Sequence, residues 1–265
     1  MAPVSLAQLR ARIAAQEGGG RDDGVRPLSF GLAEIDRILP WGGLPRGGLH
    51  EIVPAPLADG IEHGAALGFA AWWLGRLAAF EGLGGPVLWV TAGDGLYAPG
   101  LATLGLAAER LLMVRADGAK QSLWAMEQGL HCRGLGGVLG EVRGLDPTAA
   151  RRLQLAARTS GVTALLLNRG DACGPALTRW RVGPAAGAGP AGEGVGRWRW
   201  WVELIRCRGK GTGENGIVAA WLLEWDDEAH RLALVDGRDQ SSASLPSKWT
   251  ASQTVGVAGS VRSTR

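Results

Sequence analysis

Four short apolar runs punctuate the middle of the chain: Val87-Leu88-Trp89-Val90, Leu111-Leu112-Met113-Val114, Val138-Leu139-Gly140-Glu141-Val142 and Thr163-Ala164-Leu165-Leu166-Leu167. Runs of this length without polar alternation predict strands buried on both faces. Helically spaced stretches separate them, near Pro99–Leu106, Ser122–Cys132 and Pro147–Thr159. Strands alternating with helices of this length predict crossover units and a parallel sheet. The last of these helices has clear ends: Asp146 as N-cap, Pro147 at the first position and Gly161 beyond the last turn.

Upstream, Leu32–Leu39 predicts a short amphipathic helix stopped by Pro40, and Leu49–Val53 a strand. The stretch from His63 to Glu81 carries Leu67, Phe69, Trp72, Trp73, Leu74, Leu77 and Phe80. Apolar residues so wrap it that it must be a largely buried helix. At the start of the chain Ser5 can cap a helix running to about Glu17. Leu6, Leu9 and Ile13 share one face of it, with Arg10 and Arg12 off that face. The glycine-rich stretch 18–24 reads as a flexible linker. This first helix is therefore detachable, and its apolar face can dock on its own domain or on a partner chain.

After Asn168 the texture changes. Trp180-Arg181-Val182 reads as a short strand, and 183–196, rich in Gly, Ala and Pro, as a mobile loop. Residues 197–208 alternate: Trp198, Trp200, Val202 and Leu204 fall on one face, Arg197, Arg199, Trp201 and Glu203 on the other. With Ile217–Trp225 and Arg231–Val235 they predict an antiparallel meander on the end of the sheet. From Arg238 the Ser/Thr/Gln/Gly composition reads as a disordered tail. The expected organisation is an N-terminal helix and linker over 1–23, an α/β core with meander over 24–237, and the tail over 238–265.

Composition narrows the function classes. The chain has 265 residues, 46% hydrophobic and 20% charged, with a net charge of +3. It can bury a sizeable core, and its mild basicity permits nucleic-acid contact without demanding it. Cys132, Cys173 and Cys207 are far apart and odd in number. They point to reduced thiols, with neither a zinc site nor a disulfide framework. No secretory signal is read, since Arg10 and Arg12 interrupt Leu6–Ile13, and the apolar stretch 65–74 is too short to cross a bilayer. The expected location is cytoplasmic, without a membrane partner.

One segment carries a resemblance. The turn Gly42-Gly43-Leu44-Pro45-Arg46-Gly47 and the strand Leu49–Val53, with Phe30–Asp36 before them, resemble the approach of RecA-type ATPase cores to their phosphate loop. Leu111-Leu112, Gln121-Ser122-Leu123 and Val138–Val142 are similar to the stretch ending at the Walker B strand of RecA. Over about residues 5–235 the chain further resembles the ImuA family, RecA-like accessory proteins of bacterial damage-induced mutagenesis cassettes, sometimes labelled SulA-like. Trp41–Gly47, His50-Glu51, Leu88-Trp89-Val90, Thr178–Val182, Glu203–Gly209 and Trp221–Asp226 carry that resemblance. It implies an α/β fold: a RecA-like, mostly parallel sheet flanked by helices, with a C-terminal antiparallel β-meander. It also implies work with an ImuB-like inactive Y-family polymerase and an error-prone C-family polymerase in SOS-inducible translesion synthesis. The resemblance also offers RecA as a further contact, and association with the nucleoid during DNA damage is expected.

The residues themselves argue against phosphate chemistry. A phosphate loop of the form G-x-x-x-x-G-K-[ST] works because glycine amides surround the phosphates and a lysine neutralises them. Here Pro54–Ala65 has no lysine and no Ser or Thr. Gly60, Gly64 and a helix N-terminus remain, but Asp59 and Glu62 stand where positive charge is needed, and His63 is mostly neutral at pH 7. No catalytic residue, metal or cofactor is expected. Glu141, at the Walker B position, reads as a remnant, as a partner for an arginine such as Arg143, or as a strand-end residue. Asp94, between two glycines, reads as a turn and Asn168 as a strand-terminal cap. The gaps 143–146 and 169–174, where RecA has its DNA-reading loops, are short.

For nucleic acid there remain Arg179, Arg181, Arg197, Arg199, Arg206, Arg208 and Lys210, interleaved with Trp201. Such a surface can stack bases and hold phosphates. Alternatively, Trp198 and Trp200 are core residues and the arginines form a solvated outer face. The leading expectation is a non-catalytic adaptor. Its rivals are a divergent ATPase borrowing Lys120, Lys210 or Lys248, a single-stranded DNA-binding module, and a SulA-like inhibitor of cell division.

Overall fold

The computed structural model describes residues 26–56, 61–93, 96–170, 174–187, 196–210 and 218–235, the side chains of 61 and 62 excepted. The expected N-terminal helix and tail lie outside the described residues, as do Asp59, Gly60 and Asp94.

Among the described residues, nine strands form one sheet. They are β1 (Leu49–Pro54), β2 (Val87–Thr91), β3 (Leu111–Arg115), β4 (Gly137–Val142), β5 (Thr163–Asn168), β6 (Thr178–Ala185), β7 (Arg199–Cys207), β8 (Ala219–Asp226) and β9 (Arg231–Leu234). Their spatial order is β3-β2-β4-β5-β1-β6-β7-β8-β9. From β3 to β6 every neighbouring pair is parallel, and from β6 to β9 every pair is antiparallel. The molecule is thus α/β, with a mixed, mostly parallel sheet and an antiparallel C-terminal part.

Helices cover both faces. The helices α1 (Ala33–Asp36), α2 (Ile61–Ala78) and α3 (Ala98–Leu101) lie on one face, and α4 (Ala119–His131) and α5 (Pro147–Ser160) on the other. α5 has the expected ends: the Asp146 carboxylate accepts from the Ala149 amide, and Gly161 closes the last turn in the left-handed region. No helix among the described residues is long and apolar enough to cross a membrane.

α2 organises the larger core. Its Phe69, Trp72 and Trp73 meet Phe30, Trp180 of β6 and Trp200 of β7; the Trp73 and Trp180 rings stand edge to face with centroids 6.2 Å apart. Burying one such ring contributes about 3 kcal/mol, so α2 holds the meander to the parallel half of the sheet. Glycines let the helix come close. A Cβ on Gly75 would lie 2.7 Å from the Gly105 carbonyl oxygen, and one on Gly68 would lie 3.0 Å from the Trp200 ring.

Four expectations are corrected. β3 is a strand but not a buried one: it is the outer strand of the sheet, and Leu112, Met113 and Val114 are 50%, 46% and 37% exposed. An apolar run reports strand propensity, and its position in the sheet decides its burial. β6 is longer than Trp180–Val182 and takes in residues 183–185. The connection between β5 and β6 spans nine residues, 169–177, rather than ending near Gly174. Trp198 lies outside β7 and is 46% exposed, whereas Trp200, Val202 and Leu204 point into the core as expected.

Candidate functional site at the carboxyl ends of the strands

In an open α/β sheet, ligands settle in the crevice beyond the carboxyl ends of the strands. Here that crevice lies between the start of α2 and the exits of β4 and β5. Of the degenerate phosphate-loop region, His63 and Gly64 have described side-chain surroundings, and Glu62 is placed by its backbone in the first turn of α2. The Arg169 Nε donates to His63 Nδ1 at 3.2 Å, bridging β5's exit to α2. Gly64 is exposed, and a Cβ there would meet nothing within 4 Å.

Glu141 is two residues beyond Leu139 on β4 and so shares the sheet face covered by α2. Its carboxylate accepts from Trp89 Nε1 of β2 at 2.8 Å. The partner seen is this buried indole; Arg143 is exposed. No signal in the local sequence pairs these residues, because β2 and β4 become neighbours only when the sheet forms.

A second polar group lies on the opposite face. Glu51 of β1 is fully buried, and its Oε1 accepts from Asn168 Nδ2 at 2.6 Å. Arg179, across from it on β6, brings Nε to 3.3 Å from Glu51 Oε2. Asn168 Oδ1 accepts the amides of Gly144 at 3.1 Å and Gly170 at 2.9 Å. One side chain thus ties the β4–α5 loop and the exit of β5 to β1, which is the geometry of a strand-terminal cap. A buried carboxylate survives because charge and amide partners replace water.

Beside Glu51, His50 is also fully buried. Burial pulls its pKa down to about 4, opposed by its hydrogen bond to Pro45. The ring is therefore neutral at pH 7.

The meander's basic residues are mostly engaged. Arg181 donates to Glu203 at 2.8 Å, and Arg199 to Glu224 at 2.7 Å. Arg197 lies 3.5 Å from Glu224 and 4.0 Å from Asp226. Arg206 donates to the Gly174 carbonyl and Arg208 to that of Pro175. Trp201 is half-buried and Lys210 exposed. Arg199 and Glu203, read from the sequence as outward-facing, are only 5% and 4% exposed. That face is closed by ion pairs that cross strands, so period-two alternation identified the face but not its burial. Sequence reading also missed Glu224 and Asp226 as the partners, since β8 joins β7 only through sheet pairing.

A mostly apolar cleft of about 620 Å³ opens next to α2's first turns, lined by Gly64, Tyr97, Leu101, Leu104, Trp198 and Trp200 among others. No cluster of three side chains able to hold a metal ion occurs among the described residues. Lys120 opens α4 on the face opposite α2, and Lys210 follows β7, at the end of the sheet where β6 begins.

The molecule is therefore an α/β protein whose strand-end groups are spent largely on one another: carboxylate on amide, guanidinium and indole. Comparison with known proteins places it further. It is 38% identical over 216 residues to Protein ImuA of Caulobacter vibrioides strain NA1000 / CB15N, covering 77% of this chain and 85% of that protein. The same values hold for Protein ImuA of strain ATCC 19089 / CIP 103742 / CB 15. The chain belongs to the ImuA family. No family model matches it.

Proposed function

We propose that this protein is a non-catalytic, RecA-like adaptor of a damage-induced mutagenesis cassette. It would act in translesion synthesis by bridging an ImuB-like inactive Y-family polymerase to an error-prone C-family polymerase, with RecA as a further contact. Membership of the ImuA family supports the setting. The order β3-β2-β4-β5-β1 of the parallel half, with β1 followed by α2, supports the RecA-like reading.

The observation that carries the adaptor reading is the crevice at α2. Where a triphosphate needs an ammonium group, Pro54–Ala65 supplies none, and the nearby Glu141 carboxylate already accepts the Trp89 indole. The guanidinium of Arg169 is bonded to His63. Phosphoryl transfer rests on positioned cations, so the scaffold supports recognition better than turnover. The apolar face Leu6, Leu9 and Ile13 and the meander are the surfaces proposed for partners. The pairing of the meander arginines weakens the single-stranded DNA reading, because a guanidinium already held by a carboxylate releases fewer counterions on binding phosphate.

The test uses purified components: this chain, the ImuB-like and C-family polymerases of one cassette, RecA, Mg·ATP and single-stranded DNA. The expected result is a stable complex with the ImuB-like protein and no DNA-stimulated ATP turnover. Turnover that vanishes when residues 59–64 are altered would establish the divergent ATPase instead. DNA affinity falling steeply with salt, with no protein complex, would favour the DNA-binding module.

A further inference from the structure

The turn Gly42–Gly47 leads into β1 at the amino ends of the strands, the opposite end of the sheet from the crevice at the start of α2. Arg46 is the only charged residue in it. Gly47 sits in the left-handed region at φ +65°, and a Cβ on it would lie 3.2 Å from the Gly161 Cα. So tight a turn fixes where Arg46 leaves the backbone. Its guanidinium carbon lies 4.4 Å from the centre of the Phe80 ring, just past the end of α2. Arg26 approaches the same ring at 5.8 Å. Arg110, the residue before β3, donates to the Ala78 carbonyl at that helix end at 2.6 Å. A ring face and the carbonyls of a helix end both attract cations, which explains why three arginines gather here.

What the corner lacks is counter-charge. The meander arginines pair with Glu203, Glu224 and Asp226, but no ion pair between described residues includes Arg26, Arg46 or Arg110. Asp36, on the segment between Arg26 and Arg46, is already held by Ser29 Oγ at 2.6 Å and the Phe30 amide at 2.7 Å. The Arg46 Nε is buried with no hydrogen-bond partner, and burial lowers the pKa of its guanidinium. A cation partly out of water with nothing to neutralise it carries a standing desolvation cost. Next to it Leu83 is 57% exposed, its amide bonded to the Phe80 carbonyl at 3.2 Å.

We propose that this corner docks a partner protein through an acidic and apolar segment, whose carboxylates sit on Arg46 and Arg26 and whose apolar side chain covers Phe80 and Leu83. A guanidinium stacked on a ring is already oriented, so its fork meets a carboxylate with little further ordering. Binding would relieve the desolvation of Arg46 and cover Leu83 in one step. The neighbouring charges favour a peptide over nucleic acid. Glu81 and Glu109, adjoining Phe80 and Arg110 in sequence, are both exposed. A continuous polyanion running past would meet them, whereas singly placed carboxylates need not. The surface is separate from both the meander and Leu6, Leu9 and Ile13, and the inference does not depend on the proposed function.

The test uses the full chain and fluorescence anisotropy with a panel of labelled peptides, each carrying two acidic residues and one Leu or Phe at varied spacing. Members of the panel should bind. Their affinity should fall at least about tenfold when the acids become Asn or Gln, and as much in Arg46→Glu. The Arg26→Glu/Arg46→Glu chain should in turn bind the matching peptides with Lys in place of the acids, a gain that an unfolded chain cannot show. Absence of binding by every peptide, or binding that Arg46→Glu leaves unchanged, would overturn the proposal. An oligothymidylate that binds tighter than any peptide and is lost in the same variant would give the corner to nucleic acid instead. Peptide binding that appears only in Asp22→Asn/Asp23→Asn would mean that the chain's own acids fill it. Either result also overturns the proposal.

Discussion

The Thr178 hydroxyl lies 2.7 Å from His50 Nδ1, directly across the β1–β6 ladder. The donors can be assigned. His50 Nε2 faces the Pro45 carbonyl at 2.9 Å, which can only accept, so Nε2 carries the proton. Nδ1 then accepts from Thr178, whose oxygen in turn accepts from Trp180 Nε1 at 2.7 Å. A neutral imidazole completes a relay that joins the turn before β1 to the ring cluster under α2.

This relay predicts an acid sensitivity. Because the folded pKa of His50 is depressed to about 4, the unfolded chain takes up the proton first. Stability is full above about pH 6.5 and falls as pH drops toward 4, by about 3 kcal/mol from this group. Urea unfolding of the parent and of His50→Gln, at pH 7 and pH 4.5, should show the larger loss in the parent. Equal losses would contradict the assignment. Thr178→Val should cost about 2 kcal/mol at pH 7, since it strands the Trp180 N–H and His50 Nδ1.

The Glu51–Arg179 pair predicts an asymmetry. Arg179→Ala leaves a fully buried carboxylate with one charge partner removed and should cost about 3 kcal/mol. Glu51→Gln keeps an acceptor for Asn168 Nδ2 and leaves Arg179, whose side chain is 20% exposed, near water. It should cost less than half as much by urea midpoint.

Gly75→Ala tests the seat of α2. The added Cβ meets the Gly105 backbone, 2.7 Å from its oxygen, and backbone cannot yield as a side-chain tip does. Although alanine favours helix, the variant should lose about 2 kcal/mol. A gain in thermal midpoint would mean that the 102–106 turn moves freely.

The cysteines should differ in reactivity. Burial raises the Cys207 pKa to about 11, partly opposed by Lys210, whereas Cys132 is exposed. Brief iodoacetamide treatment of the native protein at pH 8 should label Cys132 and spare Cys207. Mass spectrometry of the digested product decides.

Much of the sheet was legible because its strands are continuous apolar runs with helices of matching length between them. β2, β4 and β5 fall where Val87, Val138 and Thr163 begin their runs. The N-cap Asp146 and the closing Gly161 were equally local signals. What was hidden depends on residues distant in sequence. Nothing around Leu112 says that β3 is outermost, nothing around Arg199 announces Glu224, and nothing near His50 announces Thr178. The absence of a lysine in Pro54–Ala65 was plain in the sequence, while the bonds Trp89–Glu141 and Arg169–His63 that occupy the same neighbourhood became visible only in three dimensions.

The central place of β1 has a consequence for synthesis. β1 emerges early, yet Leu49 pairs with Ala164 and His50 with Thr178, more than a hundred residues later. At roughly 5–20 residues per second, the ribosome takes on the order of ten seconds to deliver those neighbours. During that interval the tryptophan-rich α2 has no finished platform beneath it. A nascent chain stalled before β6 should remain bound to chaperones, and one released after β6 should not.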